Sequence, residues 1–163
     1  MQWHNRRSVR LQGYDYSSDG LYFVTICTKN RKKHFGNIVC RDMIYRVLLN
    51  QNGRTADKYW KKIPEYFPFA KLDEYVIMPN HIHGIIKIEK SGGISLSKII
   101  RWVKGRISHE IHRCDGIFSW QSRFYDTIIG NNRSLYAIRQ YIRDNPKNWE
   151  YDGENIDVIT ENI

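Results

Sequence analysis

Two imidazoles one residue apart, in His81-Ile82-His83, are the sharpest chemical feature of this sequence. On a β-strand, side chains at i and i+2 share a face, so both rings project side by side while Ile82 turns to the other face. A pair of neutral imidazoles makes half of a metal site. A strand carrying one hydrogen-bonded and one exposed histidine fits the same three residues. Further along, Tyr141 and Asn145 fall one turn apart on a predicted helix, flanking an apolar stripe of Leu135, Ile138 and Ile142. A phenol then sits beside a carboxamide at the rim of the packed face. Taken alone, they read more simply as an amphipathic tyrosine with a wet hydroxyl and a polar helix end ahead of Pro146. Other combinations fail on spacing. His109-Glu110-Ile111-His112 sets its histidines three apart where the helical zinc motif needs four. Cys27, Cys40 and Cys114 have no C-x-x-C spacing and read as reduced thiols of a cytoplasmic protein.

The elements that must position these groups follow from periodicity. Leu21 to Thr28 is β-branched and aromatic and predicts a buried strand, followed by the basic loop Lys29 to Lys33. Ile38-Val-Cys40 and Met43-Ile-Tyr45 predict a short hairpin around Arg41-Asp42. Leu49, Gly53, Ala56, Trp60, Ile63 and Phe67 recur at helical spacing and predict one helix ending near Pro68. Lys71 to Met78 and His81 to Ile88 predict two strands joined by the turn Pro79-Asn80, hence antiparallel. A helix capped by Ser95 or Ser97 runs to about Arg113, a short strand lies within Phe118 to Ile129, and a last helix ends at Asn145-Pro146. Strand, helix, strand, strand, helix, strand, helix is the order of a ferredoxin-like α+β fold, an antiparallel sheet with helices packed on one face. With 163 residues and no linker or repeat, residues 1–163 predict one domain, with 1–12 a basic N-terminal arm.

Charge narrows the partners. The net charge is +9 and aromatics make up 13% of the chain, a mixture that suits single-stranded nucleic acid, whose unpaired bases stack on rings. Lys98, Arg101 and Lys104 lie off the apolar face of the long helix. With Arg7 and Arg10 of the arm and Arg123, they are the candidate DNA-binding residues. The longest uncharged run, Tyr75 to Ile86, has 12 residues, against the roughly 20 apolar residues needed to span a bilayer. Met1 to Arg10 has no apolar stretch behind it, so neither a membrane partner nor a secretory signal is expected.

Three motifs, Met78-Pro-Asn-His-Ile-His-Gly84, Trp120-Gln-x-x-Phe-Tyr-Asp126 and Tyr141-Ile-x-x-Asn-Pro146, resemble in order and spacing those of the single-tyrosine HUH transposases. The resemblance is strongest to their REP-associated tyrosine transposase branch. It extends through Tyr14-Asp-Tyr-Ser17 and Phe23-Val-Thr-Ile-Cys-Thr28, and so spans nearly the whole chain. After Asn145-Pro146 the sequence departs to Lys147-Asn-Trp149, where many members have small or apolar residues and a glycine. The resemblance implies a ferredoxin-like or RRM-like fold that nicks and rejoins single-stranded DNA beside a hairpin. It implies His81, His83 and Asn145 as ligands of a divalent metal, and Tyr141 as the nucleophile that forms a 5′-phosphotyrosine. Nitrogen and oxygen ligands without thiolate suit Mg²⁺ or Mn²⁺. The protein is then a bacterial, nucleoid-associated monomer or homodimer. A non-catalytic, domesticated nucleic-acid-binding module on an RRM-like fold is the alternative, and it would need none of His81, His83 and Tyr141.

Overall fold

A computed structural model describes residues 14–89, 92–114 and 116–154. Arg7, Arg10 and the arm of residues 1–12 lie outside the described residues. Four strands form one antiparallel sheet: β1 (Gly20–Cys27), β4 (Ala70–Ile77), β5 (His81–Ile88) and β6 (Tyr125–Ile129), in the order β4-β5-β1-β6. The helices α1 (Gln51–Lys61) and α3 (Leu96–His112) connect them as the ferredoxin-like order requires. Between β1 and α1 is inserted a separate hairpin of β2 (Gly36–Arg41) and β3 (Ile44–Leu49). A last helix, α4 (Asn132–Asp144), follows β6.

Alternation along the strands builds two cores. Tyr22, Val24, Ile26, Ile82 and Ile86 pack against Ala56 and Trp60 of α1 and against Ile99, Val103 and Ile107 of α3. Leu21, Phe23, Val76, Ile85 and Ile129, on the other face, pack against Leu135, Ile138 and Ile142 of α4. The antiparallel α+β sheet is as expected, but helices on one face describes only α1 and α3. β5 is buried on both faces along all but Lys87, so a second layer must cover it. Gly84 is the point of closest approach, because a Cβ there would lie inside the Trp60 indole.

Local chemistry sets the boundaries. Asn50 caps α1, its side chain accepting from Gly53 N at 2.9 Å, so Leu49 belongs to β3 and not to the helix. The single helix expected to Phe67 is interrupted at Lys62, and Pro64 opens a separate turn, α2 (Ile63–Tyr66). The hairpin is longer than expected and turns at Asp42-Met43, both at positive φ (51° and 62°). These are values that a two-residue hairpin turn of primed type requires. Asn131 caps α4 by accepting from Ser134 N at 2.8 Å.

Candidate metal and nucleophile site

The face of the sheet that α4 covers carries the site. Register pairs Cys27 with His81 and Thr25 with His83 across β1 and β5. The two imidazoles project together, their centroids 4.3 Å apart. Each ring is held by its Nδ1: His81 by Asn80 Oδ1 and His83 by Thr25 Oγ1, both at 2.8 Å. Asn80 Oδ1 accepts a hydrogen bond from Nδ1–H and leaves the His81 Nε2 lone pair facing inward, the arrangement found behind metal-ligating histidines. Asn80 itself is pinned, its Nδ2 donating to the carbonyls of Arg31 and Glu154.

α4 brings the phenol. Tyr141 Oη lies 3.4 Å from His83 Nε2, and Phe23 packs edge-on against the Tyr141 ring at 6.1 Å. Asn145 ends the helix and is buried, with an Oδ1 that has no hydrogen-bond partner. Beyond it the chain folds back as a strap. Trp149 stacks on His81 at 6.1 Å, and Asp152 Oδ2 reaches to 3.8 Å from His81 Nε2. Arg31 ties the strap down through Glu154 (2.8 Å) and the Gly153 carbonyl (2.9 Å).

Three buried polar atoms at this point lack partners: His81 Nε2, Asn145 Oδ1 and Asp152 Oδ2. Buried polar atoms are normally satisfied, so such a cluster marks a place built for something else. His81, His83 and Asp152 offer ligand atoms within 4.8 Å of one another, and the Asn145 oxygen adds a further donor. Nitrogen and hard oxygen fit a divalent cation such as Mg²⁺ or Mn²⁺. The neighbouring Cys27 does not compete as a thiolate, because burial and then Glu154 push its thiol far up.

Electrostatics agree with that fit. Burial holds His81 below its ordinary value, partly offset by Asp152, Glu154 and Asn145. Burial and then the charge of His81 hold His83 well below it. Both rings are therefore neutral, as ligands must be. Burial, followed by the Asp152 and Glu154 carboxylates, pushes the Tyr141 phenol up, with Asn145 partly opposing.

Sequence reading missed Asp152, Thr25 and the role of Asn80. Asp152 lies in a stretch without periodicity, and nothing in the sequence ties it to His81. The failed motif at His109 to His112 is structural: His112 Nε2 meets the Phe118 carbonyl, and Glu110 pairs with Lys58 at 2.9 Å.

The predicted basic residues gather elsewhere. Arg101, Lys104 and Arg123 line a groove of about 510 Å³ between α3 and the segment before β6, with Phe124 at its side. Lys104 is half-buried and donates to the Gln121 carbonyl at 2.5 Å. Lys98 is exposed on α3. Among the described residues, no helix is long and apolar enough to cross a membrane.

A family model described as IS200-like transposase matches residues 17–145. An uncharacterized protein of Haemophilus influenzae is 36% identical over 175 residues, covering 94% of this chain and 95% of that one. A second protein of the same organism, provisionally designated a REP-associated tyrosine transposase, is 25% identical over 90% of this chain and 86% of its own length. Among solved structures, a REP-associated tyrosine transposase bound to a REP hairpin aligns with a TM-score of 0.61 at 21% identity, over 93% of this chain and 76% of that one. A provisionally assigned transposase of Deinococcus radiodurans aligns at 0.50 and 13% identity, over 81% of this chain and 95% of that one.

Proposed function

The chain belongs to the IS200-like transposase family, and on that premise we propose that it nicks and rejoins single-stranded DNA with Tyr141 as nucleophile. The observation that carries this reading is the meeting of the Tyr141 hydroxyl with His83 Nε2 beside three partnerless buried polar atoms. In the reaction the Tyr141 oxygen bonds to the scissile phosphorus, and the bond to the 3′ oxygen breaks. A 5′-phosphotyrosine and a 3′-OH result. Reversal with another 3′-OH rejoins the strand without an external energy source, which a water nucleophile would not allow.

His81, His83, Asn145 and Asp152 are the residues that would hold a divalent cation. Bound there, it supplies positive charge to the phosphate and to the departing oxygen. Tyr141 rests protonated, because its hydroxyl is partly desolvated and faces two carboxylates, Asp152 and Glu154. Asp152 and Asn145 come from chain that follows the nucleophile, so α4 and the strap bring half of the ligand set together with Tyr141. Within one copy of the chain the Tyr141 hydroxyl already meets His83, which supports action in cis by a monomer. A hairpin substrate enters from the likeness to the REP-associated transposase solved on a REP hairpin. The groove of Arg101, Lys104 and Arg123 then holds the stem.

Tyr141→Phe tests the reading. It removes one hydroxyl that does not pack in the α4 core, so folding and affinity for a hairpin with a single-stranded flank stay as in the parent. The covalent adduct on a denaturing gel disappears. An undiminished adduct would refute the assignment and turn attention to Tyr125, which lies across from Thr25, or Tyr136.

A further inference from the structure

A second concave site lies beside the strap. It is a cleft of about 260 Å³ between the β2–β3 hairpin and the segment after α4, a little under the ~300 Å³ where pockets for drug-sized ligands begin. Tyr45 on β3 and Trp149 on the strap give it two ring walls, and Lys33 and Lys147 give it cations. Lys33 Nζ lies 5.9 Å from the centre of the Trp149 ring. Tyr45 stands directly opposite Cys40 in the hairpin register. Pro79 and Pro146 form the floor, each one residue from a group of the metal site, Asn80 and Asn145. Trp149 belongs to both places, since it stacks on His81 and also lines the cleft.

We propose that this cleft binds one unstacked nucleobase, that of a nucleotide next to the scissile phosphate. The inference rests on the reading of the protein as a single-strand DNA transferase and adds a subsite to it. Two ring walls accept any base by stacking. Lys33 and Lys147 meet the phosphates on either side of that base. The Glu150 carboxylate, also in the lining, accepts hydrogen bonds from exocyclic amino groups, so the cleft favours cytosine, adenine or guanine over thymine. The aliphatic side chains Ile44 and Leu48 point away on the far face of the hairpin and provide an internal control.

The test uses the full chain as Tyr141→Phe, so that DNA binds without being cut. Each base of the single-stranded flank is removed in turn as an abasic nucleotide, and affinity is read by fluorescence anisotropy. One position should lose at least about fivefold in affinity. Tyr45→Ala should lose the same on intact DNA, and the two changes together should cost no more than either alone. Leu48→Ala should change nothing. Additive losses, or a Tyr45→Ala protein that binds intact DNA like its parent, overturn the proposal. So does a shift of oligomeric state in Tyr45→Ala on size-exclusion chromatography, which would make the occupant a second copy. Chain with Tyr141 intact is run on the same DNA. Adduct formation without any Tyr45 effect rejects the cleft and keeps the transferase reading. No adduct and no DNA binding rejects both.

Discussion

At the scale of single residues, the site is defined by what stands behind its ligands. Thr25 and Asn80 each hold an imidazole by Nδ1, so they set which nitrogen faces the cavity. Thr25→Val keeps the shape and removes the hydroxyl. It should weaken Mn²⁺ binding by about 10–100-fold, the usual cost of losing a partner behind a ligand. Calorimetry on the protein without DNA measures it, and an unchanged affinity would show that the hydroxyl orients nothing. Asp152→Asn should also lose affinity, because it removes the one charge in the ligand set while keeping a donor in place. The motif made His81 and His83 visible, but their supporting residues were not. Thr25 precedes His83 by 58 positions, and only strand register brings them together.

At the scale of elements, α4 is what carries Tyr141 and Asn145, and two contacts lock it to the sheet. Arg139 grips Asp73 with two nitrogens at 2.8 and 2.6 Å, and Arg143 reaches Glu74 at 2.7 Å. The β-bulge between Leu72 and Tyr75 turns both carboxylates toward the helix. Arg139 holds the Asp73 carboxyl below its ordinary value, helped by the Glu74 amide. A depressed folded value means the contribution is full above about pH 3.9 and is lost as pH falls through the lower folded value. Arg139→Ala should therefore destabilise the protein modestly near pH 7, because the pair is partly exposed. The deficit should vanish in acid. Denaturant titrations at several pH values measure it, and a deficit independent of pH would leave packing as the only role. On the opposite layer, Gly84→Ala should destabilise by roughly 1–3 kcal/mol, because the new methyl meets the Trp60 ring on a buried strand. Thermal melts would show it, and Gly84→Ala combined with Trp60→Leu should recover part of the loss.

For the whole molecule, the sheet separates two tasks. Arg101 and Arg123 border the α3 side of β6, and Tyr141 lies on the α4 side. On the proposed function, DNA that reaches both must pass the β6 edge. Replacing Arg101 and Arg123 with Ala should flatten the dependence of log affinity on log salt by about 0.9 for each stem phosphate released. The adduct rate at saturating DNA should stay unchanged, and a steep slope in the double variant would move the stem elsewhere. The sequence by itself determined the ferredoxin-like order, because apolar periodicity is local and each of β1, β5, α3 and α4 announces its own faces. It also determined the His81/His83 pair and the one-turn spacing of Tyr141 and Asn145, since both sit within a single element. Only the tertiary structure decided that α4 takes the face opposite α1 and α3, that Tyr141 lies over His83, and that Asp152 returns to His81. Each of these depends on which surface a finished element is buried against. Burial is a property of the assembled core and of the strap closing over it, so no window of the sequence contains it.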